Sequence, residues 1–316
     1  MPWAQASGAV VVGATGSGRI DATSTASAVT VALSLQGSTA FSGGGAVALN
    51  LIAGTTNATV TSARLVAVTT LSITTGYSAR IDALVAALSV AVGGAATGTT
   101  PGIAIGVSVA RNLIGWEEFG GVDPILVKAR AISSDLEATG DITISAASTA
   151  IISAIVEATS VAVAASTDTA FAVSVGGLFT DNKIGARIEA SATNTAIETD
   201  GALYVTASDT SRITADARAA GVGASLPGGM GGAGSIGLAI AFNEIDVQVL
   251  ALIANPGVVI APGGVFITAT NSSQILVQSI AVAVAVAIAG GTPALALAGG
   301  GAVAINQILG STRAGV

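Results

Sequence analysis

An asparagine followed two residues later by isoleucine returns throughout the chain: Asn50 and Ile52, Asn112 and Ile114, Asn182 and Ile184, Asn243 and Ile245, Asn306 and Ile308. A second series keeps step with it. Segments opening at Gly8, Thr69, Gly140, Gly201 and Gly263 all carry isoleucine at their thirteenth position, as Ile20, Ile81, Ile152, Ile213 and Ile275. Their spacings are 61, 71, 61 and 62 residues, and the longer one contains an insertion, GWEEFGGVDP, at 115–124. A fixed period of this length marks a repeat architecture in which each unit buries its apolar face against the next. The repeats run 8–68, 69–139, 140–200, 201–262 and 263–316 within one domain over 1–316, and residues 1–7 read as the end of a preceding coil or as an N-terminal extension.

Each repeat reads as two long extended arms joined by a turn. The first, as in GDITISAASTAIISAIVEATSVAVA, alternates with period two and is rich in Thr, Val and Ile, which favour strands. Clusters of Gly, Pro, Ser or Asp (QGSTAFSGGG, GGAATGTTPG, ASTDT, LPGGMGGAGS, GGTP) then reverse the chain. The second arm carries the Asn and Ile, and a weaker turn such as ATG, TDG or APGG closes the repeat. No segment carries helix signals. The expected fold is all-β: a β-solenoid of five long, flattened coils of about 61 residues, in which equivalent residues lie one above another about 4.8 Å apart.

Such stacking explains the asparagines. Each buried amide donates to one neighbour in the column and accepts from the other, so its polar atoms are satisfied. The isoleucines stack into continuous ridges. The competing reading of the Asn residues, turn positions with left-handed backbone, fits poorly with VALNLI and VAINQI, which sit inside apolar alternation. The arginines before the first isoleucine (Arg19, Arg80, Arg212) read as a solvated outward face, with Asp21 and Asp82 within reach for weak surface pairs. Toward the glycine reversal both faces of the arms turn apolar, as in AVAVAVAIAGG. Strands of that kind need cover on both sides, from another sheet of the assembly or from lipid.

Composition removes many functions. Only 9% of residues are charged, 3% are aromatic, and the net charge is −7. No electrostatic footprint for nucleic acid exists. Cys and His are both absent, which removes disulfides, thiolate nucleophiles, zinc sites built on these residues and the commonest general base. The reading is therefore of a protein that is not an enzyme and has no cofactor. Asp168, Asp181, Asp200 and Asp209 at turns are candidates for calcium, with solvated turn chemistry preferred. GAGSIG at 232–237 matches a dinucleotide-loop spacing, but no helix signal follows, so it reads as a turn. The start, MPWAQASGAV, has neither the basic nor the apolar region of a signal peptide. The uncharged run at 279–305 alternates Val with Ala and is broken by glycines and Pro293, unlike a helical membrane span.

The recurring GDITISA or GALYVTA, then alternating Val and Ala with Gly, then VAIN or AFNEI, resembles the alanine- and glycine-rich β-strand repeats of giant bacterial surface proteins, the filamentous-haemagglutinin-like and large adhesin-type proteins. The likeness covers nearly the whole chain. It implies a secreted or surface-attached β-rich filament or stalk, extracellular or on the cell surface, with no catalytic residues to carry over. Two further readings use the same repeats: five antiparallel hairpins closed into an outer-membrane barrel, and an adhesive module acting through Trp116 and Phe119 of the insertion. The partner expected under the first reading is another copy of the chain or neighbouring repeats, with membrane contact open. The 54 residues of the last repeat and the seven before Gly8 together make one 61-residue coil, as expected for a window of a longer array or for a coil completed by the next subunit.

Overall fold

The computed structural model describes residues 2–290 and 292–316, which form nineteen β-strands and no helix. Along the chain, β1 (Trp3–Ala6) leads into β2 (Val10–Gln36), β3 (Ala40–Ile52), β4 (Thr55–Thr61) and β5 (Arg64–Ala67). Next come β6 (Leu71–Thr97), β7 (Thr99–Ile114), β8 (Ile125–Ile132) and β9 (Asp135–Ala138). The third passage is β10 (Ile142–Ser166), β11 (Thr169–Thr193) and β12 (Ala196–Thr199). The fourth is β13 (Leu203–Asp209), β14 (Arg212–Pro227), β15 (Gly231–Ala254) and β16 (Val259–Ile260), and the last is β17 (Val265–Asn271), β18 (Gln274–Ala287) and β19 (Ala294–Gly315).

These strands make three sheets. The first holds β2, β6, β10, β13 with β14, and β17 with β18; the second holds β3 with β4, β7 with β8, β11, β15 and β19; the third holds β1, β5, β9, β12 and β16. Every pairing between these strands is parallel. The hairpin reading is thereby corrected. β2 bonds to β6 rather than to β3, so consecutive arms do not form antiparallel ladders, and no sheet closes on itself. The physical reason lies in the alternation: each arm has one dry face of Ile, Ala or Ser, and two arms satisfy each other by facing across a core instead of lying side by side.

The third sheet was not legible as strand. The sequence reading had only a weak closing turn there, whereas the chain makes a corner, a short strand and a second bend. At the corner Ser62, Ser133, Asn194 and Asn255 adopt φ of 52°, 49°, 51° and 45°. This left-handed region is where Asn is enriched and most other residues are strained. The corner amides bond to the next repeat, Ser62 N to Ile132 O at 2.9 Å and Asn194 N to Ala254 O at 3.0 Å.

The core changes character from base to tip. Beside the third sheet it holds Leu71, Ile73, Ile142, Ile144, Ile184 and Ile188, all fully buried. At the far end its buried apolar side chains are alanines, among them Ala91, Ala104, Ala162 and Ala172. The two long sheets therefore converge. Small hydroxyls stitch them: Ser42 Oγ donates to Ala28 O at 2.9 Å, Ser174 Oγ to Ser160 O at 2.7 Å and Thr30 Oγ1 to Phe41 O at 2.8 Å.

Convergence explains the glycines, and here the sequence reading is corrected again. GAGSIG lies inside β15, not in a turn, and Gly43, Gly44 and Gly45 lie inside β3. The reversals themselves are short, as at the lone Gly98 between β6 and β7. The inward-facing glycines admit the backbone of the opposite sheet: a Cβ on Gly106 would sit 2.8 Å from Thr159 O, and one on Gly44 2.7 Å from Leu88 O.

Gly176 and Gly177 test this directly. A Cβ on Gly176 collides with Ala220 O, whereas nothing lies within 4 Å of one on Gly177. Gly176→Ala is expected to cost roughly 1–3 kcal/mol in urea denaturation, and Gly177→Ala to be neutral or slightly stabilising.

Candidate functional site

The asparagines belong to the second sheet, in the register Asn50, Asn112, Asn182, Asn243, Asn306. Each side-chain amide donates to the next: Asn50 Nδ2 to Asn112 Oδ1 at 2.8 Å, Asn112 to Asn182 at 2.7 Å, Asn182 to Asn243 at 2.8 Å and Asn243 to Asn306 at 2.9 Å. Asn112 and Asn182 are wholly buried. Asn182 Nδ2 uses its second hydrogen on Thr180 Oγ1, 3.1 Å away. All four bonds point the same way, so the column is polar: Asn50 Oδ1 is its open acceptor at one end and Asn306 Nδ2 its open donor at the other.

Both isoleucine series also form columns. Ile20, Ile81, Ile152, Ile213 and Ile275 are in register in the first sheet. Ile52, Ile114, Ile184, Ile245 and Ile308 are in register in the second. Ile81, Ile152 and Ile213 are fully buried, while Ile308, on the outermost strand, is 51% exposed.

The arginines point outward. Arg19 pairs with Asp21 on its own strand at 2.9 Å and with Asp82 on the next at 3.5 Å, and Arg80 pairs with Asp82 at 2.5 Å. The Arg19 bond holds the Asp21 carboxyl below its usual range. The pairs are solvent-exposed and contribute little to stability.

Among the four aspartates named as calcium candidates, Asp181 is in mid-strand rather than in a turn, its Oδ2 3.0 Å from Arg111 Nε. Asp168 accepts from Gly98 N at the tip, 2.6 Å away. Among the described residues, no group of three or more acidic side chains converges to hold a metal.

Asp209 is wholly buried at the end of β13. It accepts from Ser211 N at 2.9 Å and Ser211 Oγ at 3.0 Å. One repeat on, in register with it, Asn271 Oδ1 accepts from Ser273 N at 3.0 Å and Ser273 Oγ at 2.6 Å. This Asp/Asn-x-Ser pairing recurs visibly in SDTS and TNSS and is the signal the sequence reading passed over.

The insertion folds back on the outer face of the second sheet. Trp116 pairs with Val122 in a lone antiparallel bridge. Lys183 Nζ lies 4.6 Å from the Trp116 ring centre, and the Arg111 guanidinium 5.9 Å from that of Phe119. Trp116 is only 8% exposed and so is not available as a binding platform, whereas Phe119 is 89% exposed. Beside the insertion a shallow groove of about 210 Å³ runs between Phe179 and Phe242, floored by Asn243 and edged by Lys183 and Glu244.

No protein-family model, curated protein or solved structure matches the chain.

Two outcomes test these columns. Asn182→Ala strands a donor on Asn112 and an acceptor on Asn243, and is expected to cost about 2–4 kcal/mol in chemical denaturation. At Asp209, burial raises the carboxyl above its ordinary 3.8. A raised folded-state value means that stability is fully present below the unfolded value and is lost as pH rises through the folded one. Asp209→Asn, which copies Asn271, is expected to match the parent at low pH and exceed it at pH 7 in thermal unfolding.

Proposed function

We propose that this chain is a structural protein: a β-solenoid segment of an extracellular fibre, surface layer or adhesin stalk, whose work is to stack coil on coil. The observation that carries this reading is the direction of the asparagine column. A column ending in an acceptor on one side and a donor on the other joins head to tail with its own kind and cannot join head to head. The parallel sheets impose the same polarity, because β2, β3 and β4 at one end and β17, β18 and β19 at the other present unpaired backbone groups in matching order. Exposed edges of this length recruit further strands, and a head-to-tail interface that does not close on itself gives a filament. Coils supplied by another copy or by a continuing chain meet these edges through the same bonds.

The absence of Cys and His accords with a structural role, as does a core thinned toward the tip to small side chains.

The test is electron microscopy and fibre diffraction of the purified chain at neutral pH without detergent. Long unbranched fibres with an axial reflection near 4.8 Å are expected, and Asn50→Leu with Asn306→Leu should slow their growth. Discrete particles of one chain's mass under these conditions contradict the reading.

A further inference from the structure

The tip half of each coil is apolar on its outer faces as well as in its core. Residues 22–63, 83–110, 219–243 and 247–312 contain no charged side chain, and 158–180 contain only Asp168, at the turn. On the first sheet the outward positions there align into ridges parallel to the stacking direction. One ridge is Val29, Val90, Val161, Val222 and Val284. The next runs from Val31 to Val286 in the same register, and Leu33, Leu35 and Ile288 lie beyond it, all at least 60% exposed.

We propose that this face is a lateral interface, covered by the same face of a second copy of the chain. Area is the first argument. Five strands about 4.8 Å apart, each with about four outward apolar side chains about 6.6 Å apart, span roughly 600 Å² of sheet plane. The accessible area of protruding Val and Leu exceeds that plane, and so approaches the roughly 800 Å² per partner that stable interfaces bury. It is larger than the apolar patches soluble monomers ordinarily expose. Ridge geometry is the second. Straight ridges of β-branched side chains separated by grooves interdigitate with an identical set, as in dry sheet-to-sheet contacts.

Charge supplies the orientation. A two-fold axis parallel to the stacking direction lays tip over tip with the strands reversed, which sends the two charged bases, with their net negative charge, to opposite sides. The same axis keeps both stacks growing in one direction, so lateral pairing and axial stacking are compatible. A bilayer is the competing cover for the same band. It is disfavoured because the unpaired amides of β2 and β18 run through the same tip and would enter hydrocarbon unsatisfied.

The experiment is mass per length of the fibres by scanning transmission electron microscopy. A single stack carries 30.1 kDa for each rise of about 24 Å, and the wild type is expected to show twice that. Val92→Asp with Val222→Asp places outward charges on the ridges two strands apart. It is expected to halve the mass per length while the reflection near 4.8 Å remains. Val92→Thr with Val222→Thr, which keeps the β-branched shape, serves if the charged variant loses its β-sheet circular dichroism. Wild-type fibres of single-stack mass, or variants with unchanged mass, overturn the inference and leave axial stacking intact. If no fibres form, axial stacking fails instead, and sedimentation reads the lateral contact: a dimer that becomes monomeric in the variant supports it, and a monomeric wild type overturns it. Flotation with phosphatidylcholine–phosphatidylglycerol vesicles, lost in the charged variant and with no paired species in solution, assigns the face to lipid and overturns it as well.

Discussion

Parallel pairing of each arm with its own equivalent in the next repeat is the constraint from which the other features follow. Once the register is fixed, every side chain shares a column with its counterparts, and a residue type is acceptable only if it tolerates its own kind about 4.8 Å away. Asparagine does so by passing hydrogen bonds along the column, isoleucine by stacking branched methyls, and exposed Arg19 and Arg80 by each pairing with the aspartate two residues further along its own strand. A buried lone Asn would be costly; a column of five exposes that cost only at its ends.

The thinness of the core is the second consequence. Two sheets that converge until glycines meet opposing carbonyls leave room mostly for Ala and Ser. The composition is therefore a geometrical requirement: Ala104 and Ala162 face one another where Ile144 and Ile188 would be too wide. The groove at Phe179 and Phe242 is shallow and open.

The sequence carried much of this arrangement in plain sight, and its failures have physical causes. The period, the strand content, and the Asn and Ile columns were readable because identical residues recur at fixed spacing. The short third sheet was not, since four residues such as Asp135–Ala138 hold too little alternation to register, and the left-handed corner uses Ser in two repeats and Asn in two others. Glycine misled in the opposite direction. At Gly237 of GAGSIG and Gly44 of SGGG it signals close approach between sheets, a cause invisible along one chain, instead of a turn. Asp209 stood out in the sequence only as a solvated turn residue, because its burial depends on lying between Asn271 and Ser148, which only the folded register brings about.

The absence of cysteine makes the register directly measurable. Thr149 and Thr210 lie one above the other, hydroxyls 2.9 Å apart, while Thr214 is in register with Ser153, four residues further along the strand. Thr149→Cys with Thr210→Cys should form an intrachain disulfide under mild oxidation, read as a mobility shift of the unfolded chain, and Thr149→Cys with Thr214→Cys should not. Failure of the first pair to link, or equal linking of both, would contradict the stacked register.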